Sequence, residues 1–341
     1  MTQPPKTLLD VSGLTVSFAT ERGKVTAVND VSFQVGEGEI VSIVGESGSG
    51  KTVSLLSILG LTDRRTTSIQ GSVLFRGQRI LEKSDREMRK IRGRDIALIS
   101  QDPMTALTPV YTIGWQIAEQ IRAHESISPR AARLRAIELL GEVGLPSPST
   151  MVDRYPHQLS GGMRQRAVIA MALSCNPALL VADEPTTALD VTVQAQVLEL
   201  LKRLRRDFGS SIILITHDMG VVGEMADRVL VMYAGRVVEQ GRTEDIFDDP
   251  WHPYTWGLLA SIPPLHGRKP ARLTSIPGAP PSPANLPPGC GFAPRCRWRF
   301  DPCSTSPPRR SEGERASLCF IAPDQRDALR RTVLPVAGDA A

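Results

Sequence analysis

The sequence predicts an α/β fold, a mostly parallel sheet with a helical insert, followed by an irregular extension rich in proline and cysteine. Three observations predict it. The octad Gly45-Glu46-Ser47-Gly48-Ser49-Gly50-Lys51-Thr52 lies between an apolar strand-like run (39–44) and a helix-like run (52–59). Two further apolar runs, 179–182 and 211–216, end in polar residues, as strands covered on both faces do. Nine prolines fall between Pro263 and Pro288, and Cys290, Cys296, Cys303 and Cys319 follow.

Composition bounds the possibilities. A chain of 341 residues allows one large domain with an appendage, or two domains. Net charge is +4 from 40 basic and 36 acidic residues, too balanced to point to nucleic acid. Residues 1–6 carry no apolar signal region. No apolar run approaches the roughly 18–20 residues of a membrane span. The expectation is a soluble, cytoplasmic chain whose membrane role comes through partners.

Taken in order, residues 8–18 and 26–35 read as two strands joined by a polar turn at 21–24. Phe18 could fold back toward the octad and stack on a base, or serve as an ordinary strand-face core residue. The octad matches G-x-x-x-x-G-K-[ST] in its required strand–loop–helix context. Gly45, Gly48 and Gly50 let the backbone N–H groups turn toward phosphate oxygens, at a helix N-terminus that favours anions. Lys51 would reach the outer phosphates and Thr52 a Mg²⁺ ion. Residues 71–75 and 96–99 read as strands, the second running into Gln101 at a position suited to a metal or water contact.

Residues 113–145 read as helical, with Ser128 as N-cap and Pro129 at the first helical position. Leu159-Ser160-Gly161-Gly162-Met163 then opens a helix to about Leu173, a second N-terminus suited to phosphate, or a plain Ser-Gly-Gly turn. The apolar strand 179–182 ends in Asp183 and Glu184, two acids that are costly there without a cation or proton partner. An amphipathic helix spans 191–208. The strand 211–216 ends at His217, where ligands of parallel sheets collect. Residues 229–233 and 236–240 read as a hairpin. Cys175 reads as a small buried residue. The four clustered thiols suggest a metal, with free thiols or a local disulfide pair as alternatives; their spacing fits no usual zinc or ferredoxin pattern. Residues 333–341 read as a frayed tail.

These motifs, in this order, resemble the nucleotide-binding subunit of ATP-binding cassette transporters over residues 8–265. Leu159-Ser160-Gly161-Gly162 resembles the signature that separates this family from other P-loop ATPases. Met163 stands where Gln is commoner, as it often does in the peptide-importer branch. Gln101-Asp102-Pro103-Met104, the run from Asp183 to Gln194, His252-Pro253-Tyr254-Thr255 and the tail from Pro287 to Cys319 are similar to the dipeptide/oligopeptide/nickel importers. The resemblance implies a RecA-like core with an antiparallel β subdomain, a helical subdomain at about 113–175 and a C-terminal extension at 266–332.

It also implies ATP hydrolysis by a dimer of cassettes, each chain holding half of each site. Phe18 would stack on adenine, and Gly45, Glu46, Ser47, Gly48, Ser49, Gly50, Lys51 and Thr52 would bind the triphosphate. Thr52, Gln101 and Asp183 would hold Mg²⁺. Glu184 would be the general base, and His217 would contact the γ-phosphate. Ser160, Gly161, Gly162 and Asp190 would act across the dimer interface on the partner's site. Cys290, Cys296, Cys303 and Cys319 would hold a [4Fe-4S] cluster, with zinc as the alternative.

The implied partners are two permeases, a second and non-identical ATP-binding subunit and a solute-binding protein, at the cytoplasmic face of the inner membrane. The implied cargo is a di- or oligopeptide; nickel chelates, glutathione and opines are alternatives. A soluble cassette acting on DNA or ribosomes is the rival class. It is disfavoured by a single uninterrupted cassette and the lack of a basic stripe.

Overall fold

The computed structural model describes residues 6–21, 23–187, 189–263 and 275–334. The expected domain boundary near 265–266 and the tail from 335 lie outside the described residues. Strands β1 (Thr7–Thr20) and β2 (Gly23–Gly36) form a long antiparallel hairpin. Strand β3 (Ile40–Val44) runs into the octad. Strands β4 (Thr67–Phe75) and β5 (Gln78–Arg79) extend the hairpin into a sheet of order β2-β1-β4-β5. Strands β6 (Ile96–Ile99), β7 (Leu179–Asp183), β8 (Ser211–Thr216), β9 (Arg228–Tyr233), β10 (Arg236–Arg242), β11 (Arg309–Glu312) and β12 (Arg315–Leu318) join β3 in a second sheet. Its order is β11-β12-β10-β9-β3-β8-β7-β6.

The pairings β9–β3, β3–β8, β8–β7 and β7–β6 are parallel. Strands β3, β7 and β8 are buried along their whole length, which explains their unbroken apolar runs. Alternate residues serve opposite faces. Leu180, Ala182, Ile212 and Leu214 pack with the helical insert, whereas Leu179, Val181, Ile213 and Ile215 pack toward the β1–β2 hairpin. A third core gathers Val231, Tyr233, Tyr254 and Phe292 where the C-terminal extension meets the sheet. The parallel arrangement brings the C-terminal ends of β3, β6, β7 and β8 to one edge, where Gly45, Glu184 and His217 follow directly and Gln101 follows after Ser100.

The helical region splits into Ile113–His124 and Pro129–Glu142, the second capped as expected by Ser128, whose Oγ accepts from Ala131 N at 3.2 Å. Between 275 and 308 the extension is turns and short 3-10 pieces, in keeping with its proline content. Beyond that it departs from an irregular lobe. Strands β11 and β12 form a hairpin that adds to β10, pairing Ser317 with Glu239 and Ala316 with Gln240. Helix Pro323–Arg331 then packs Arg326 over the Trp251 ring, 4.4 Å from its centroid. These strands escaped the hydrophobic pattern because they are short, at the sheet edge, and mostly polar. Among the described residues no helix is long and apolar enough to cross a membrane.

Candidate nucleotide site

The octad wraps between β3 and helix Lys51–Ile58. Gly45 is required by space: a Cβ there would fall on the Met232 carbonyl oxygen. Gly50 is required twice, by its φ of 101° and by the Ala27 carbonyl oxygen 2.7 Å from where a Cβ would stand. Lys51 is only 6% exposed. Its Nζ donates to the carbonyls of Gly45 (2.7 Å) and Glu46 (3.0 Å), so the ammonium is folded into the loop. Burial holds its pKa below the usual lysine value, against the pull of Glu184, Asp183 and Glu46. Ser49 Oγ, in the same loop, is buried without a hydrogen-bond partner.

Thr52 Oγ1 donates to Asp183 Oδ1 at 3.1 Å, which joins the octad to the end of β7. Burial raises the Asp183 carboxyl; the Thr52 bond opposes this, Glu184 adds to it, and Lys51 opposes it. A hydroxyl and a buried carboxylate side by side, next to a lysine and an unpartnered serine, are hard oxygen donors suited to a small divalent ion bound mainly through phosphates. The residues present therefore fit Mg²⁺.

Glu184 is the next residue, with a left-handed φ of 47° that turns its side chain across the ends of the strands. One carboxylate oxygen accepts from Gln101 Nε2 (3.0 Å) and Thr187 Oγ1 (2.9 Å). The other lies 3.5 Å from His217 Nδ1. Gln101, Glu184 and His217 thus meet although they stand in three separate segments.

The remaining expected residues lie apart from this group. Ser160 caps helix Gly161–Leu173, its Oγ accepting from Met163 N at 3.4 Å, and Gly162 packs against Val193. Asp190 caps helix Val191–Phe208 through Val193 N at 3.0 Å. Ser160, Gly161 and Asp190 are exposed or half-exposed. None of their hydrogen bonds reaches the octad or Glu184. Phe18 pairs with Val25 and Thr67 and packs, half-buried, on the core between the sheets.

Glu46 differs from its neighbours in the octad. Its N–H donates to Tyr254 Oη at 2.8 Å, and its carboxylate pairs with Arg295 of the extension, with Nη2 3.0 Å from Oε1. Both groups are thus engaged by residues from outside the octad. Sequence reasoning missed Arg295 and Tyr254, which have no motif of their own and lie more than 200 residues along the chain.

The four C-terminal cysteines line one cavity with His252, Phe292, Trp298 and Phe320. All are free thiols, so no local disulfide forms. Burial pushes Cys296 up to about 11 and Cys319 up to about 12, with the other thiols adding to the rise. Among the described residues, however, no group of three or more His, Cys, Asp or Glu side chains is arranged to hold a metal ion. The shared cavity does not amount to a ligand set, so the expected iron–sulfur cluster and its zinc alternative gain no support from the geometry. Cys175 is half-buried beside Ser174.

An octad cradling a buried lysine, joined to a strand-end acid pair with Gln and His, defines a P-loop ATPase of the cassette type. Comparison with known proteins agrees. The ABC transporter family description matches residues 28–187, and that of the oligopeptide/dipeptide transporter C-terminal region matches 238–303. A protein of Brucella abortus named as a peptide import ATP-binding protein is 50% identical over 313 residues, 92% of this chain and 94% of its own.

Solved structures are similar too. One is a dimeric ATP-binding cassette in a post-hydrolysis state bound to ADP and Pi. It has a TM-score of 0.63 at 30% identity, covering 69% of this chain and 98% of that one. Another is a cassette of Clostridium perfringens, part of an ABC transporter complex. It has a TM-score of 0.60 at 26% identity, covering 72% of this chain and 92% of that one. The chain belongs to the ABC transporter family, as an ATP-hydrolysing cassette.

Proposed function

We propose that this chain powers import of di- or oligopeptides across the cytoplasmic membrane, hydrolysing ATP in a cassette dimer that closes and opens against membrane permeases. The observation that carries the chemistry is the meeting of Gln101, Glu184 and His217 beside the Thr52–Asp183 pair. The cargo class is supported by the peptide-import relative and by the C-terminal region match.

In this reading the octad binds the triphosphate. Lys51 exchanges its two carbonyl acceptors for β- and γ-phosphate oxygens, and Ser49 Oγ gains a partner. Thr52, Asp183 and Gln101 would hold Mg²⁺, which when bound neutralises phosphate charge. Glu184 orients a water and accepts its proton, and His217 holds the γ-phosphate. Phe18 stacks on adenine. Ser160, Gly161 and Asp190 are exposed, and with Gly162 they would serve the partner cassette's nucleotide. Donors from two subunits aimed at one γ-phosphate favour closure only while that phosphate is present.

Beside the Gln101 segment, Val110, Tyr111 and Trp115 are exposed, with the two rings stacked at 4.0 Å. This apolar face would receive a cytoplasmic loop of the permease. The full assembly has two permeases, a second non-identical cassette and a solute-binding protein, and it sits peripherally on the cytoplasmic face. Residues 8–265 form the cassette and 266–332 the extension. A [4Fe-4S] cluster on the four cysteines, or zinc, rests on the chemistry of the four free thiols alone.

Purification of the chain from native membranes tests the reading. Two permeases, a second cassette and a peptide-loaded binding protein should accompany it; recovery alone, or with ribosomes or DNA, would overturn it. A preparation made without oxygen and free of iron, sulfide and zinc would remove both metal alternatives.

A further inference from the structure

The phosphate loop is held from outside the cassette core. Arg295 lies in the extension, one residue before Cys296, and its side chain is 5% exposed. Its guanidinium grips the Glu46 carboxylate with both terminal nitrogens. Every remaining donor is occupied within the protein. Nε donates to Pro277 O (2.9 Å), Nη2 to Ile276 O (3.3 Å) and Gly278 O (3.2 Å), and Nη1 to Tyr233 Oη (3.3 Å). A planar fork held on all sides can impose one orientation on the carboxylate it meets.

That orientation passes directly into the loop. Glu46 is the second residue of the octad, at a position where the motif accepts any side chain. Its N–H is held by Tyr254 Oη (2.8 Å), and its carbonyl accepts from Lys51 Nζ (3.0 Å) and Ser49 N (3.2 Å). Tyr233, which also contacts Arg295, stands at the end of β9, two residues before Gly235, whose N–H donates to Ser49 O (3.0 Å). Side chain, N–H and carbonyl of one loop residue are therefore fixed together.

We infer that Arg295 is a positioning residue for ATP binding, so that the C-terminal extension is a working part of the nucleotide site. This rests on the ATPase reading above. The Arg295–Glu46 pair presets the first turn of the phosphate loop and the perch from which Lys51 swings to the phosphates. Preorganisation of this kind lowers the cost of binding and leaves the chemical step to Glu184.

The test uses the full chain, with a fluorescent ATP analogue for affinity and phosphate release for turnover. Arg295→Met should raise Kd and KM for ATP about tenfold, with kcat changed less than twofold, the size expected of a charge-assisted bidentate contact. Arg295→Lys should recover part of that loss. Glu46→Gln should weaken binding similarly, and the double variant Arg295→Met/Glu46→Gln should be no worse than the worse single. An unchanged KM in Arg295→Met, or effects that multiply in the double variant, would overturn the inference. If Arg295→Met does not fold, Glu46→Gln decides alone: an unchanged KM overturns it. A wild-type chain that bound no ATP would instead overturn the ATPase reading.

Discussion

Glu184→Gln separates nucleotide binding from its hydrolysis. The substitution preserves volume at a residue that is only partly exposed, and the amide oxygen can still accept from Gln101 Nε2 or Thr187 Oγ1. It also leaves Lys51, Thr52 and Asp183 in place. What it removes is the proton acceptor. A positioned general base contributes on the order of 10²- to 10⁴-fold, so kcat should fall by that factor, about 3 to 5 kcal/mol of barrier. ATP affinity should stay within about threefold, because no octad donor changes. With hydrolysis blocked, ATP should hold cassettes together. Steady-state phosphate release gives the first number, and size-exclusion chromatography with and without ATP reports the dimer. Turnover within tenfold of wild type would refute Glu184 as the base. Loss of ATP binding would refute the claim that its role is confined to chemistry.

Two further predictions follow from buried charges. Lys51→Ala removes the ammonium that the octad encloses, so ATP affinity should fall at least about a hundredfold in a fluorescence titration; tight binding in this variant would refute the loop's role. Glu239 is buried under Trp251 N, His252 N and Thr255 Oγ1, all of which donate to it, and burial lifts its pKa to about 7 from 4.5, with Thr255 foremost in opposing the rise. Between pH 4.5 and 7 the native state keeps a proton that the unfolded chain releases. Its contribution to stability is therefore full below 4.5 and lost as pH rises through about 7, a change on the order of 3 kcal/mol. Chemical denaturation across that range should show this slope in wild type and not in Glu239→Gln; equal slopes would refute it.

Much of the candidate site was legible because its residues sit at fixed places on a regular scaffold. The octad carries its own spacing, and Gln101, Glu184 and His217 each follow an apolar strand. Since β6, β7 and β8 are parallel neighbours, three strand-end residues far apart in sequence must emerge at one edge. The links from the extension were illegible for the opposite reason. Arg295 and Glu46 are 249 residues apart, and neither belongs to a periodic pattern. Strands β11 and β12 draw their order from pairing, β12 with β10 and β11 with β12, rather than from an apolar face of their own. The described part of the proline-rich stretch before them, from Ser275, is irregular as expected, yet it supplies the Ile276, Pro277 and Gly278 carbonyls that hold Arg295.

The hydrogen bonds within the site also bear on how ATP can drive movement. Lys51 is satisfied by loop carbonyls, Thr52 by Asp183, and Gln101 by Glu184. In the function proposed above ATP would exchange these bonds for phosphate contacts, so the net gain within one chain would be smaller than the contacts themselves, because each donor would give up an existing partner. Ser160, Gly161 and Asp190 stand outside this exchange, at two capped helix starts that share no hydrogen bond with the loop. A γ-phosphate held on one cassette can gain donors from another without breaking the first set. The free energy available for closure then depends on the γ-phosphate bridging two subunits. In the function proposed above the driving contact would lie at the partner interface, and the shape of the loop before closure, which the inferred role of Arg295 would set, would determine how much of that free energy is realised.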